Sequence, residues 1–467
     1  LEFINLLFLY ETIKRTIMKT RTSLFIVLVS LLSIYVCSAQ QPYVAKLDSL
    51  IELIRNNDKG MGSISVFKDG KEIYGNAYGF ANVEKSLKAN KETRYRIGSI
   101  SKVYTASIIM KLSEQGKLST NDLLSRYYPQ IKNADKITIE QLLRHRSGIF
   151  NFTNLPDYLQ WNTSVFSKQK MLEKLAALGS DFEPGSKYQY SNSNYILLSL
   201  IAEDAGGKSY NELLNDFILK PCGLTHTRIF EAIDPEKNEA SSYRYLPVAT
   251  PQNSHWALES ETDPSVPLGA GFLSSTPSDM NRFIWGLQEG KIVKSETLKL
   301  MTAMQDGYGL GLSPYRFGLE QGYGHGGSID GFQSTLFIIP GLDLSVAITS
   351  NGTVYPLNNI AIDIMRIVTG DPTYTFPVFG NLLEVSEGDL QKLSGNYSSP
   401  ELPIKLKIFV DKGVLHGQGA GQPAFPLECF DTNKFRFEMA GIIMHFNPES
   451  NTMILKQGGK DFTFTKE

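Results

Sequence analysis

Apolar residues recur at helical spacing from Val44 to Ile54, and the pattern then switches to the two-residue alternation of strands. Ser63-Ile64-Ser65-Val66-Phe67 and Glu72-Ile73-Tyr74 flank Lys68-Asp69-Gly70-Lys71, and Asp-Gly between alternating runs predicts a β-hairpin. From about Tyr95 to Leu310 the helical period dominates. Val103 to Glu114 runs to a stop near Gly116, Thr138-Ile139-Glu140-Gln141 has the form of a capping-box start, and Tyr195 to Glu203 ends at Gly206-Gly207. Strand signals return late. Phe332 to Ile339 and Leu342 to Ser350 alternate around Pro340-Gly341, and Leu357 to Val368 resumes a helical period.

Strands, then many helices, then strands and a closing helix predict an α+β domain whose antiparallel sheet is assembled from both chain ends around an inserted helical region. A cleft at their junction is the expected place for a site. Asp371 to about Ser386, with Pro372 and Pro377, breaks both periods and marks a linker. Beyond it come short β runs separated by Gly, Pro and Asn turns: Ile404 to Val410, Val414 to Gly417, Phe435 to Met439, Ile442 to Phe446, Met453 to Lys456 and Phe462 to Lys466. They predict a small all-β barrel or sandwich.

The first forty residues follow the pattern of an export signal. Lys19 and Arg21 precede an apolar run from Leu24 to Val36 and the small residues Ser38 and Ala39, as in a signal peptide cut near Ala39 or Gln40. Met18 heads that segment, which leaves 1–17 as an upstream extension. The apolar run falls short of the ~20 residues a spanning helix needs. Ile34-Tyr35-Val36 before Cys37 is also a poor lipobox, so the expectation is an exported, periplasmic or extracellular protein with no transmembrane span in its mature part. The division expected is 1–17 extension, 18–40 signal peptide, 41–375 main domain, 376–390 linker and 391–467 β domain.

Composition narrows the function. With 467 residues, 42% hydrophobic and 20% charged, the chain is long enough for two or three ordinary globular domains. A net charge of -2 and the lack of any basic run with interleaved aromatics give nucleic acid no electrostatic footprint. Past the signal only Cys222 and Cys429 remain, which is no disulfide framework, and the six His residues are scattered, so neither a metal nor another cofactor is expected. Oligomeric state leaves no mark in the sequence.

The chemistry-bearing candidate is Ser99-Ile100-Ser101-Lys102, which follows Gly98 and opens the apolar helical run Val103 to Met110. Positions i and i+3 share a helix face, so Lys102 can reach the Ser99 hydroxyl. A helix N-terminus favours developing negative charge, and a run apolar on nearly every side implies a buried helix that lowers the Lys102 pKa toward that of a usable base. The spacing alone is weak, since Ser167-Lys168-Gln169-Lys170 matches it in an exposed-looking charged stretch. Two further segments add weight: Tyr190-Ser191-Asn192, in a polar turn before the helix that begins at Tyr195, and His325-Gly326-Gly327-Ser328, leading into the late strand pair. Tyr74-Gly75-Asn76 repeats the Tyr-x-Asn form, but it precedes Ser99 and lies in the predicted hairpin.

Ser99-x-x-Lys102, Tyr190-x-Asn192 and His325-x-Gly327, in this order, resemble the three active-site motifs of the serine β-lactamase and penicillin-binding protein superfamily. The branch most similar holds class C β-lactamases, D-alanyl-D-alanine carboxypeptidases, D-aminopeptidases and related esterases. Tyr95-Arg96-Ile97-Gly98, Leu142 to Gly148, Gly269-Ala270-Gly271-Phe272 and Gly324 to Gly327 also resemble landmarks of that family, over about residues 42 to 370. The resemblance implies a β-lactamase-like domain followed by the β domain, and a serine hydrolase that works through an acyl-enzyme. Ser99 would be the nucleophile, with Lys102 and Tyr190 sharing its proton; a cationic Lys102 would lower the phenol pKa toward a tyrosinate base. The N–H groups of Ser99 and Ser328 would form the oxyanion hole, Asn192 would orient substrate amides or Lys102, and His325 and Gly327 would line the substrate strand.

Substrate is left open among β-lactams, peptidoglycan-derived D-Ala-D-Ala peptides, D-amino-acid amides and small esters. Many relatives carry Lys-Thr-Gly where this chain has His325-Gly326-Gly327, and a His of ordinary pKa near 6.5 is a weak holder of a substrate carboxylate. No counterpart of the deacylating Glu loop of class A β-lactamases stands out, which favours a peptidase or esterase role. The same pocket would also serve a penicillin-binding sensor or a non-catalytic cell-wall-binding protein, against which the intact Ser99, Lys102 and Tyr190 speak.

Overall fold

The computed structural model describes residues 42–467 apart from 247–255, 378, 380–382, 384, 412, 423, 438–439 and 458–459. The expected signal segment and Cys37 lie outside the described residues. In chain order, helix α1 (Pro42–Asn56) leads into strands β1 (Gly60–Lys68) and β2 (Lys71–Tyr78). The helical region follows, with α2 (Ser101–Glu114), α3 (Asn192–Gly206) and α4 (Pro277–Gln288) as its long members. Strands β3 (Ser313–Phe317), β4 (Glu320–Ile329), β5 (Phe332–Ile339) and β6 (Leu344–Thr353) then precede α5 (Leu357–Val368) and α6 (Glu387–Leu393).

The six strands form one antiparallel sheet in the order β3-β4-β5-β6-β1-β2, so β1 from the start of the chain pairs with β6 from its later part. The α+β expectation and the closure of the sheet from both ends hold. The β1–β2 hairpin turns at Asp69 and Gly70, whose φ values of 51° and 73° are the positive pair that a tight two-residue hairpin needs.

Why the sheet is buried on both faces is visible in β1. Ile64 and Val66 point into a core with Leu47, Leu50 and Ile54 of α1 and Ile360 and Ile364 of α5. Ser63 and Ser65 point the other way and are satisfied there: Ser63 Oγ bonds Tyr95 Oη at 2.9 Å, and Ser65 Oγ accepts from Asn281 of α4 at 3.1 Å. The larger core, on that side, is built around α2 and α3. In α2 every residue from Ser101 to Met110 is buried, so it is a central helix wrapped by others rather than an amphipathic surface one.

Eight strands from Gly395–Ser398 to Lys460–Lys466 close into a barrel. Ile442–Asn447 alternates strictly between buried and exposed, and Leu390 and Leu393 of α6 pack on the barrel core. Two barrel strands, Gly395–Ser398 and Phe425–Asp431, fall outside the predicted runs; the first is short and starts on glycine, and the second carries Pro426. β4 is the larger departure. His325 to Ser328 lie inside a ten-residue strand of their own rather than ahead of the β5–β6 pair, and its four glycines hide it from a reading by strand propensity.

Candidate active site

The nucleophile candidate sits on a turn made by long-range constraints. Tyr95-Arg96 pairs with Leu273–Ser275, Ile97 N–H donates to Leu273 O at 2.9 Å, and Gly98–Ile100 then forms a single 3-10 turn that runs into α2. Ser99 is therefore half-buried two residues before the helix, at its electropositive end. Gly98 has φ +48°, and a Cβ there would come within 2.8 Å of both Ser328 N and Ser328 O. At Gly327 a Cβ would lie 2.0 Å from Ile97 O. The two glycines let strand β4 press against the Ser99 turn, bringing the Ser328 backbone beside it. At Gly327, expected to line the substrate strand, the close neighbour is the protein's own backbone, whereas at Gly326 a Cβ would meet only Ser334 O at 3.8 Å.

An ion pair clamps the same junction. Arg96, just ahead of the turn, donates to Asp330 Oδ2 at 3.1 Å, just past the end of β4, and both side chains are almost fully buried. Arg96 also reaches Thr262 O at 2.9 Å and stacks over Phe230. The pair ties together the two segments that carry Ser99 and Ser328, and of its buried polar atoms Arg96 Nε has no hydrogen-bond partner.

Lys102 is fully buried, and its Nζ lies 2.9 Å from Ser99 Oγ and 2.7 Å from Ala270 O, to which it donates. Among the described residues no carboxylate pairs with it. Burial alone pushes its pKa well below the ordinary lysine value. A neutral amine has one lone pair and two hydrogens, so it can accept from Ser99 while donating to Ala270 O.

Tyr190 lies over this pair, with Lys102 Nζ 5.0 Å from its ring centroid. Its phenol interacts with the Ser99 hydroxyl, but desolvation outweighs that bond and raises its pKa above the ordinary tyrosine value. Burial thus works against the expected tyrosinate: it pushes the phenol up and the amine down, each shift favouring the neutral form because a buried charge is costly.

His325 is buried and held in one tautomer. Its Nδ1–H donates to Gly326 O, which leaves Nε2 to accept from Tyr308 Oη at 2.9 Å. Desolvation, with repulsion from Lys102 second, brings its pKa down to about 4. It therefore presents no positive charge at neutral pH.

Asn192, expected to orient substrate amides or Lys102, has no hydrogen bond to Lys102 among the described contacts. As the first residue of α3 it donates through Nδ2 to Thr153 Oγ1 at 3.1 Å, and its backbone N–H donates to Asn151 Oδ1 at 3.0 Å. Those bonds point it away from Lys102, whose partners are Ser99 and Ala270.

The open cleft has a volume of about 510 Å³ and is lined by Ser99, Tyr190, His325, Gly327 and Ser328, with Tyr315 and Thr335 among the other walls. None of its lining residues is charged. Five of the seven sequence candidates thus share one cleft, Lys102 lies beneath it, and Asn192 stands to the side.

His145 was named only as part of a landmark, yet it sits at the centre of the support. It adopts φ +55° after the short helix Ile139–Leu143, accepts at Nδ1 from Ser191 N–H at 3.1 Å, and packs its ring 4.2 Å from that of Tyr190. Burial, then Lys102 and His325, hold its pKa well below the ordinary value, so a second neutral imidazole backs the tyrosine. Tyr308 was missed altogether. It bridges the two histidines, bonding His325 and packing 4.8 Å from the His145 ring. A tyrosine between glycines and leucines carries no local signal for that contact.

The rival matches resolve into structural roles. Ser167 caps the helix Lys168–Ala176 by accepting from Lys170 N–H at 3.1 Å, and Lys170 is exposed. Tyr74 lies in β2, donating to Asp48 Oδ1 at 2.8 Å and accepting from Asn76 at 3.0 Å.

Residues 51–367 match the family model described as Beta-lactamase. Among curated proteins the chain is 28% identical over 257 residues to teichoic acid D-alanine hydrolase of Staphylococcus aureus, across 55% of this chain and 60% of that protein. It thus spans about 60% of the length of the curated relatives it matches. Among solved structures it resembles the octameric penicillin-binding protein homologue from Pyrococcus abyssi, with a TM-score of 0.63 and 26% identity over 90% of this chain and 99% of that one. It shares the fold of D-amino acid amidase from Ochrobactrum anthropi SV3, with a TM-score of 0.61 and 21% identity over 70% of this chain and 100% of that one.

Proposed function

The chain belongs to the Beta-lactamase family, and we propose that it is an exported serine hydrolase that cleaves D-amino-acyl esters or amides through a Ser99 acyl-enzyme. The observation that carries this reading is the 2.9 Å contact between Ser99 Oγ and a fully buried Lys102 that no carboxylate among the described residues neutralises. Lys102 takes the Ser99 proton as Oγ attacks the carbonyl. The Ser99 and Ser328 N–H groups receive the oxyanion, an arrangement in which one donor is worth about 10²–10³ in rate. Tyr190, neutral and in contact with Ser99, passes the proton on to the leaving oxygen or nitrogen, and water then attacks the acyl-enzyme by the reverse route.

The cleft's charge supports the substrate class. A β-lactam or a D-Ala-D-Ala peptide brings a free carboxylate that needs a cation, and with His325 neutral the cleft wall supplies none. In an ester or amide of a D-amino acid the carboxyl carbon is itself the carbon attacked, so no carboxylate is left to pair. The names of the S. aureus relative and the O. anthropi amidase, a D-alanine hydrolase and a D-amino acid amidase, agree with that chemistry. Export rests on the Lys19 to Ala39 pattern.

Purified protein assayed on D-alanine methyl ester, D-alanine amide, a D-Ala-D-Ala peptide and nitrocefin tests the reading. The ester and amide are expected to turn over and to lose turnover in Ser99→Ala. Preference for nitrocefin or the peptide would overturn the substrate class, and covalent labelling of Ser99 by a penicillin without turnover of any substrate would leave a sensor instead.

A further inference from the structure

A second cavity, of about 770 Å³, is lined by both the barrel and the hydrolase domain and adjoins the catalytic cleft. Ser328, Gln333, Thr353 and Val354 line both. Ser328 packs its backbone against the turn that carries Ser99, so the second cavity begins beside the nucleophile candidate. Its size falls in the range of small-molecule sites, and domain junctions and barrel mouths are where such sites concentrate.

The barrel supplies the apolar wall: Val414, Leu415, Phe425, Leu427, Phe435 and Phe437, with Phe425 and Phe437 stacked 4.8 Å apart. Leu390 of α6 continues it. Three charged side chains also border the cavity, and each is already ion-paired: Arg244 with Glu259 at 3.4 Å, Asp330 with Arg96 at 3.1 Å, and Glu428 with Arg436 at 3.5 Å. With those charges paired, the barrel side of the cavity is apolar, and Ser328, Gln333 and Thr353 make the polar end that it shares with the cleft.

We propose that the barrel completes the substrate site, and that this pocket takes a linear aliphatic chain attached to the carbonyl that Ser99 attacks. The inference rests on Ser99 as nucleophile but is separate from the D-amino-acid preference. An aliphatic chain fits better than an ionic group because the barrel wall is apolar and a chain needs neither a hydrogen bond nor a counter-ion along its length. Each methylene taken out of water strengthens binding by about fourfold at full burial, with less expected in a pocket still open to solvent.

The test compares p-nitrophenyl acetate with p-nitrophenyl octanoate, for a chain on the acyl side, and D-alanine methyl ester with D-alanine octyl ester, for a chain on the alcohol side, using the full protein. In one of the two series kcat/KM is expected to rise at least tenfold from the short to the long chain, and that series shows on which side the chain lies. Val414→Asp and Ala424→Asp place a charge at exposed positions on the pocket wall, where the barrel fold tolerates it. They are expected to cut the long-to-short ratio at least fivefold while leaving the melting curve unchanged. Flat ratios in both series, or a ratio untouched by both variants in folded protein, would overturn the proposal. If short esters are not cleaved in a Ser99-dependent way, the hydrolase reading falls as well; if they are cleaved but without regard to chain length, only the pocket proposal falls.

Discussion

Two of the chain's Ser-x-x-Lys stretches, both at helix starts, come to opposite ends. At Ser167 the hydroxyl accepts from the Lys170 backbone N–H, the Lys170 side chain stands in solvent, and the motif is a helix cap. At Ser99 the hydroxyl meets the Lys102 amine at 2.9 Å, and that amine is fully buried against Ala270 O. The spacing brings serine and lysine together in either place, but only burial changes what the lysine is. In water an ammonium is a donor and nothing more, whereas in a dry site lacking a carboxylate the neutral amine becomes the cheaper form and hence a base.

The comparison can be broken first at the serines. Ser99→Ala is expected to lower kcat/KM on D-alanine methyl ester by about 10⁴ or more, as removal of a nucleophile does elsewhere, while Ser167→Ala leaves it within about twofold. A comparable loss at Ser167 would abolish the distinction. Next is the lysine: Lys102→Arg keeps a cation that does not deprotonate, so a loss of about 10²–10⁴ is expected, whereas a cation that merely stabilised the transition state would be retained by arginine. The same account requires the wild-type rate to rise with pH through an ionisation well below the ordinary lysine value.

A smaller effect tests the dryness of the site through stability. His325 has its folded pKa near 4, below its unfolded value of 6.5, so the unfolded chain binds a proton that the folded one refuses. Its contribution is whole above pH 6.5 and is lost as pH falls from there toward 4. The melting temperature of the hydrolase domain should therefore drop across that window, and His325→Gln should flatten the drop; an unchanged slope would mean that the imidazole is protonated in the fold. The smallest effect belongs to the cap. Ser167→Ala should destabilise by about 1 kcal/mol, visible in a melt and not in the rate.

What could be read in the sequence followed how local its cause is. The capping box at Thr138 with Gln141, the hairpin at Asp69-Gly70 and the left-handed stop at Gly207 are each determined within a few residues, and each stands where its residues imply. The order of strands and helices was enough to imply a sheet closed by both chain ends, because antiparallel strands with one long insertion have few ways to pair. The site was legible only as a set of residue types. Lys102 depends on a carbonyl 168 residues away, Tyr190 on the rings of His145 and Tyr308, and the glycines of β4 on the backbone of Ile97. The lowered Lys102 pKa followed from the apolar run around it, but the raised Tyr190 pKa did not, since it is set by how much water the assembled site excludes.

The most direct test of Ser99 as a nucleophile served by an uncharged Lys102 is acid-quench peptide mapping of the protein mixed with D-alanine methyl ester, run across pH. The account predicts a D-alanyl adduct on the peptide bearing Ser99 and none on the peptide bearing Ser167, with a formation rate that climbs as Lys102 loses its proton and collapses in Lys102→Arg. Turnover without an adduct at Ser99, or an adduct whose formation ignores both pH and Lys102, would contradict it.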